Sequence, residues 1–397
     1  MPTTYERMKV LLAGIFSMLV TIGVARFAYT PLLPIMQEAT WLNDQVGGWL
    51  AAGNYLGYMV GAIIAASVSS LTLKDRLYRI YLILAVVTTA LMSFTENVWL
   101  WLVLRFVSGM TSSGGMLLAS GLILNWLLRH HQRAELGIHF AGAGLGIVLV
   151  SVVIEVMVNV AISWDLQWFY LGGLALLLAV PAWRWMPTPD TRPMTISGEA
   201  LVDAPPSRLF MTLLLVAYFC AGYGYVISAT FIVDIVESQP TLTGMGQYVF
   251  LLVGLAAIPA AIVWDHIARA IGYLRALALA YGVQVIGIVL PALTDSLAGV
   301  FLSAVLYGGT FIGCVSLVLT MAGRFFPTKP AKLMGKMTLS YGVAQIVAPA
   351  LTGALAQQAG NYNLGLYLAG GFVTFGTGVI VLLIMLEKRE ARVQAVA

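Results

Sequence analysis

The chain has 397 residues, of which 60% are hydrophobic and only 10% charged, with a mean hydropathy of +0.91 and a formal charge of +4. Soluble globular domains carry roughly a quarter of their residues as charges, so a soluble fold is excluded; long apolar runs, unlike the alternating strands of a membrane barrel, leave helices as the spanning element. The positive charge is spread thinly with no basic block, which argues against a nucleic-acid partner, and Cys220 and Cys314 lie far apart in apolar runs, which supports neither a disulfide framework nor a metal motif.

Taking about 20 apolar residues as one span, the sequence predicts twelve helices, over residues 8–36, 45–70, 76–95, 98–128, 134–160, 164–186, 208–236, 243–264, 270–293, 296–323, 332–358 and 362–386. The opening "MPTTYERMKVLLAGIF" resembles a signal peptide, but its apolar stretch runs on without a small-residue cleavage site and reads as a retained first helix. The polar segment 187–207 divides the chain into an N-terminal six-helix lobe, 1–186, and a C-terminal six-helix lobe, 208–397. If the first loop faces outward, the outer connections hold Glu38, Asp44, Glu96, Asp165, Glu237 and Asp295 and no Lys or Arg. Of the 21 Lys and Arg, all but Arg26 and Arg105 then fall on the inner side. One missed span would invert everything after it, so this partition supports twelve spans with both termini cytoplasmic.

The two halves echo each other. "KDRLYR" after the second span carries Asp75 and Arg79, and "WDHIAR" after the eighth carries Asp265 and Arg269, each pair four apart and the pairs 190 residues apart. Recurrence at matched places suggests a latch on the inner rim, and duplicated halves are a known transporter architecture.

Within the spans, polar residues form stripes. Arg26 is the sole charged side chain from Val10 to Gln37, although an arginine in mid-membrane costs about 2.5–3.5 kcal/mol on translocon scales. It lies about 25 Å along the helix from Lys9, past the midplane. Tyr29 and Thr30 share its face. Arg105 heads a stripe continued by Ser108, Ser112 and Gly115, and the tenth span repeats the pattern with Ser303, Tyr307, Thr310 and Cys314. The seventh span offers Tyr218, Gly222 and Tyr225 at helical spacing. Two arginines in one cavity make a fork of donors suited to a carboxylate, although the same stripes serve equally as packing between helices. Glu155 is the expected partner of Arg105, and with Asp234 it is the acid nearest the hydrocarbon, where desolvation suits a carboxylate to proton carriage. His139 reads as packed or solvated. Gly53, Gly57 and Gly61 in "GNYLGYMVG", which also holds Asn54, and Gly142, Gly144 and Gly146 form smooth ridges expected to let the lobes rock. No phosphate-cradling glycine loop and no catalytic constellation appears, so neither ATP-driven transport nor enzyme activity is expected.

These residues resemble the major facilitator superfamily. Asp75, Arg76 and Arg79 match its second-to-third connection, with Leu71 and Tyr78 where glycines stand in the pattern; Arg105 and Gly109 match a fourth-helix pattern, and Pro349 and Gly353 one in the eleventh. "GVARFAYTPLLPIM" and "GYGYVISATFIV" are similar to the YbfB/YjiJ group, close to the monocarboxylate-transporter branch. The resemblance implies a multi-pass protein of a bacterial inner membrane, a cavity lined by helices 1, 4, 7 and 10, alternating access and no cofactor. The combined expectation is a monomeric secondary transporter of a small organic anion, with protons as the coupling ion. Arg26, Tyr29, Thr30, Asn54, Arg105, Tyr225 and Tyr307 are the expected substrate contacts. Arg105, Glu155 and Asp234 are the expected coupling residues, and Asp75, Arg79, Asp265 and Arg269 the cytoplasmic gate. Proton-antiport efflux of drugs or amino acids, and a non-transporting sensor or scaffold, are the alternatives.

Overall fold

Twelve apolar helices long enough to cross a membrane are found among the described residues: α1 (Tyr5–Ala39), α2 (Asp44–Ser67), α3 (Leu71–Phe94), α4 (Val98–Leu127), α5 (Ile138–Asn159), α6 (Trp164–Trp185), α7 (Arg208–Glu237), α8 (Gly246–Ile271), α9 (Tyr273–Leu293), α10 (Leu297–Ala322), α11 (Leu333–Ala359) and α12 (Asn363–Glu387). The structure is a computed structural model that describes residues 4–130, 136–189, 206–325 and 330–396. Most of the expected linker, 190–205, lies outside the described residues, as do Arg133, Arg192 and Lys329.

Helix starts follow local chemistry. Asn43, Ser70, Asn97 and Ser207 each stand one residue before a helix and accept from an amide of its first turn, the preferred way to satisfy donors that have no partner within the helix. Ser70 starts α3 five residues earlier than the apolar pattern suggests, and α8 runs seven residues past its apolar end. "KDRLYR" and "WDHIAR" are therefore helical ends rather than loops. Their charged turns extend the helices beyond the apolar span, where the pattern ends but the backbone ladder need not. The α8–α9 connection is Gly272 alone, at φ 94°, a conformation that only glycine adopts without strain.

Packing repeats between the halves. Helix α2 packs on α4 as α8 packs on α10; α1 packs on α5 as α7 packs on α11; and α3 packs on α6 as α9 packs on α12. Across the halves, α2 meets α11 and α5 meets α8, contacts that exchange when each helix is replaced by its counterpart six places along. Such a pattern is that of a pseudo-twofold pair. Large apolar side chains such as Leu177 and Phe375 remain exposed, as a lipid-facing surface requires.

The close approaches of α2 and α11 and of α5 and α8 depend on glycines. A Cβ on Gly48 would collide with the Pro349 carbonyl, and one on Gly144 would meet the α8 backbone at Ile258. The ridge expected to serve lobe movement is divided differently: Gly57 faces the Phe106 carbonyl and Gly61 the Met110 carbonyl of α4, in the same half, while Gly142 and Gly146 face α1. These glycines seat helices within one half because only a bare backbone fits there.

Candidate functional site

The site is built on an irregular stretch of α1. Pro31 has no N–H to donate to Phe27, and over Leu19–Phe27 the ladder is wound as a π-helix, with the Ala28 amide donating to the Gly23 carbonyl at 3.1 Å. Such bulges turn carbonyls away from the helix and favour functional positions. Here α4 takes them up. Arg105 Nη1 donates to the Ala25 carbonyl at 3.0 Å and Nη2 to the Arg26 carbonyl at 3.5 Å. The Ser108 hydroxyl donates to the same Ala25 carbonyl at 2.5 Å, and the Ser112 hydroxyl to the Thr21 carbonyl at 2.9 Å. The polar stripe of α4 is thus a seam that holds the bulge. Gly115 completes it, since a Cβ there would collide with the Thr21 hydroxyl. Arg105 is further boxed by the Tyr29 ring, 4.4 Å from its guanidinium carbon. Asn54 fixes the same turn by donating from Nδ2 to the Arg105 carbonyl at 2.9 Å.

Arg26 has a different fate. Its guanidinium carbon lies 4.5 Å from the Tyr55 ring, 4.9 Å from the Tyr58 ring and 5.8 Å from the Phe27 ring. Among the described residues no carboxylate pairs with it, and its buried Nε has no hydrogen-bond partner. The side chain is 8% exposed. Tyr225 of α7 stands in electrostatic range, its ring 5.3 Å from Phe311, 5.8 Å from Tyr341 and 6.5 Å from Tyr307. Arg26, Tyr29, Thr30, Asn54, Tyr55, Arg105 and Thr230 line a cavity of about 10 Å³, about the space of one water molecule. Two further buried atoms of these residues, Arg105 Nε and Asn54 Oδ1, also have no partner.

On the loop side of Arg26 the two halves are pinned together. The Thr30 hydroxyl donates to the Ala229 carbonyl at 2.6 Å, the Tyr55 and Thr230 hydroxyls form a hydrogen bond at 3.4 Å in which either can donate, and Gln247 Nε2 donates to the Pro31 carbonyl at 3.2 Å. Near the loops, the Tyr362 hydroxyl bridges Asp44 of α2, at 3.1 Å, and Asp234 of α7, while Gln37 donates to Asp44 at 2.8 Å. Tyr248 donates to Glu155 at 3.0 Å. Among the described residues, these are the side-chain hydrogen bonds that join the halves, and all lie in the half of the bundle away from the termini.

The residues expected at the site therefore separate. Arg26, Tyr29, Thr30, Asn54 and Arg105 come together around one cavity, and Tyr225 stands in electrostatic range of Arg26. The Tyr29 hydroxyl is committed to the Gly47 carbonyl at 2.9 Å, that of Thr30 to Ala229, and that of Tyr307 to the Tyr225 carbonyl at 2.8 Å, so these three shape the site through rings and backbone. Glu155 does not meet Arg105: it accepts from Asn159 and Tyr248 on the solvated rim, each at 3.0 Å. The expectation of that pair is corrected: the bulge carbonyls take up Arg105 Nη1 and Nη2, and Glu155 is held at the rim. His139 is packed, with Nε2 3.1 Å from the Gly115 carbonyl. Asp75 and Arg79 pair at 3.0 Å, and Arg79 also donates to the Trp183 carbonyl at the end of α6. Asp265 and Arg269 pair at 2.7 Å within α8. Sequence reasoning overlooks Tyr55 and Tyr58, which stand three apart in the glycine-rich stretch of α2 and can be read as one aromatic face. It also overlooks Tyr362, a loop residue with no periodicity to mark it.

The family model described as the uncharacterised MFS-type transporter YbfB matches residues 18–382. A probable sugar efflux transporter of Helicobacter pylori is 21% identical over 64% of this chain, and the match spans 65% of that protein. A probable sulfoacetate transporter, SauU, of Cupriavidus necator is 24% identical over 73% of this chain and 74% of its own length. A gentisate transporter of Corynebacterium glutamicum is 21% identical over 86% of this chain and 78% of its own length. In fold, the chain is similar to a point mutant of the nucleoside transporter NupG, with a TM-score of 0.72 at 11% identity, over 95% of this chain and 99% of that one.

Proposed function

This chain belongs to the family of MFS-type transporters described for YbfB, and on that ground we propose that it is a secondary active transporter that moves a small organic anion of the carboxylate type by alternating access, coupled to protons. On this reading residues 1–186 and 208–397 are two lobes that rock about the linker 187–207, with both termini cytoplasmic in a bacterial inner membrane. The lobes are pinned on the side away from the termini, which on this reading closes the outer face, and Asp75 with Arg79 and Asp265 with Arg269 secure the cytoplasmic side when the outer face opens.

One observation carries the anion: Arg26 is a guanidinium in mid-membrane, nine-tenths buried, with aromatic faces around it and no carboxylate as partner among the described residues. An unpaired buried charge is costly, and a visiting carboxylate offsets that cost with a bidentate, charge-assisted pair. Gentisate and sulfoacetate, the cargoes of two relatives, are both carboxylates. The proton reading rests on Asp234 and Asp44. They stand on opposite lobes and share the hydroxyl of Tyr362, whose own pKa is raised by burial and by the two acids. One phenol proton serves only one carboxylate; a proton on the other completes the set, so closure of the outer face is favoured when a proton is taken up.

Purified protein in liposomes tests both parts. Uptake of a labelled carboxylate should quicken under an inward proton gradient. Arg26→Gln should abolish uptake while the protein still elutes as a folded species, and Asp234→Asn should leave exchange intact but remove its pH dependence. The sugar efflux relative favours a second reading, proton-antiport export, which predicts the reverse dependence on the gradient. Absence of flux with every cargo would favour a sensor or scaffold.

A further inference from the structure

The surroundings of Arg26 describe more of the cargo than its charge. From Arg26 a circuit of tyrosines runs through both halves. Tyr58 of α2 lies under the guanidinium at 4.9 Å and in electrostatic range of Tyr218 of α7. The Tyr218 ring is 4.6 Å from that of Tyr341 of α11, which is 5.8 Å from Tyr225, back beside Arg26. Behind Tyr225, the rings of Tyr307 and Phe311 stack at 5.4 Å. The ring planes along Tyr225, Tyr341, Tyr307 and Phe311 depart from parallel by only 17–28°.

The polar atoms of this circuit are informative. Among the described residues no hydrogen bond is made by the hydroxyls of Tyr58, Tyr218 and Tyr341, although all three side chains are buried. Among the described residues no carboxylate lines the circuit to meet an ammonium group, which disfavours amino acids. The second cation is largely committed: Arg105 Nη1 and Nη2 donate to the Ala25 and Arg26 carbonyls, and only its Nε is left without a partner. One free positive charge matches one negative charge. The remaining recognition surface is π-face, which suits a flat ring better than a puckered or branched carbon skeleton.

Resting on the organic-anion reading above, we propose that the cargo is an aromatic monocarboxylate: its carboxylate on the Arg26 fork, its single ring between the Tyr58 and Tyr225 faces, and any ring hydroxyl met by the free hydroxyls of Tyr218 or Tyr341. The wild-type protein in detergent tests this with four probes in a thermal-shift titration: benzoate, cyclohexanecarboxylate, benzamide and succinate. Benzoate should bind about tenfold more tightly than cyclohexanecarboxylate, the gain expected of one good aromatic contact, and benzamide and succinate should give no saturable shift. Tyr225→Leu should bring benzoate and cyclohexanecarboxylate to equal affinity, and Arg26→Gln should remove both. Equal binding of benzoate and cyclohexanecarboxylate by the wild type overturns the aromatic assignment and leaves the anion reading standing. Equal binding of benzoate and benzamide, or retention of benzoate binding by Arg26→Gln, overturns the anion reading itself and this inference with it. Tight succinate binding overturns the single-charge argument. The wild-type comparison needs no variant, so a Tyr225→Leu protein that fails to fold does not shelter the proposal.

Discussion

Arg26 and Arg105 are both arginines buried within apolar, membrane-length helices, 8% and 3% exposed, and they line the same small cavity. Their donors make them opposites. Arg105 directs Nη1 and Nη2 to two carbonyls that the bulge in α1 sets free, while Arg26 contributes its carbonyl to that arrangement and turns its own guanidinium to the Tyr55 and Tyr58 side chains. A buried charge is thus structural or available according to the backbone around it, and the same bulge produces one of each kind. The cost of placing two like charges together is accepted because one of them is solvated by peptide dipoles, which serve as fixed substitutes for water.

Exchanging the roles should fail in a specific way. Arg26→Gln should cut uptake of a bound carboxylate by at least about 100-fold, since a charge-assisted pair is replaced by a neutral contact in a dry site, with little change in the melting temperature of the unliganded protein. The next largest effect is the mirror image. Arg105→Gln should lower stability by about 2–4 kcal/mol, the worth of its charge-assisted bonds together with the Arg26 carbonyl left without its donor, read as a melting temperature lower by several degrees. Ligand affinity in the fraction that remains folded should change less than in the Arg26 variant. If Arg105→Gln removes binding and leaves the melting temperature unchanged, the division between the two arginines is wrong.

Much of this is legible in the sequence. Apolar runs, charge partition and the repeated Asp–Arg spacing point to the number of helices, whose observed bounds fall within a few residues of the expected ones except at the two ends carrying charged turns. The stripe Arg105, Ser108, Ser112 and Gly115 is visible as a stripe, yet its target is not, because nothing in α4 announces that α1 is wound with freed carbonyls. The bulge depends on how Pro31 and the α5 glycines seat α1, with Gly23 against Gly146, and that is a tertiary matter. Pairing Glu155 with Arg105 fails for the same reason: helical depth can be read from residue counting, but azimuth between helices cannot. Tyr362 lies in a loop, where no period exists to show which way a side chain faces.

A smaller test sharpens the account of the seam. Ser108→Ala removes one of the two donors on the Ala25 carbonyl, the hydroxyl at 2.5 Å, and leaves the Arg105 Nη1 bond at 3.0 Å. Because the acceptor stays satisfied, the loss should be about 1 kcal/mol, a single net hydrogen bond, against the larger loss for Arg105→Gln, and the double variant should be less stable than the sum of the singles, since the carbonyl is then orphaned. Additive losses would mean that the two donors do not share one acceptor.

The smallest expected effects lie at the rim, where the same contrast recurs in weaker form. Arg79 and Asp75 are 19% and 15% exposed as side chains and tie α3 to the end of α6 through the Trp183 carbonyl and ring. Arg269 and Asp265 are 57% and 40% exposed and stay within α8, although the Tyr273 hydroxyl also reaches Asp265 at 3.2 Å. Exposed pairs contribute only about 0–1 kcal/mol, so Asp265→Asn should barely move the melting temperature and Asp75→Asn should lower it somewhat more. Raising the salt concentration should erase the first difference before the second, because solvent ions reach the α8 pair directly and the α3 pair only in part. Equal sensitivity of the two pairs to salt would show that the α6 contact does not hold Arg79, and that the first-half pair is as freely solvated as its counterpart.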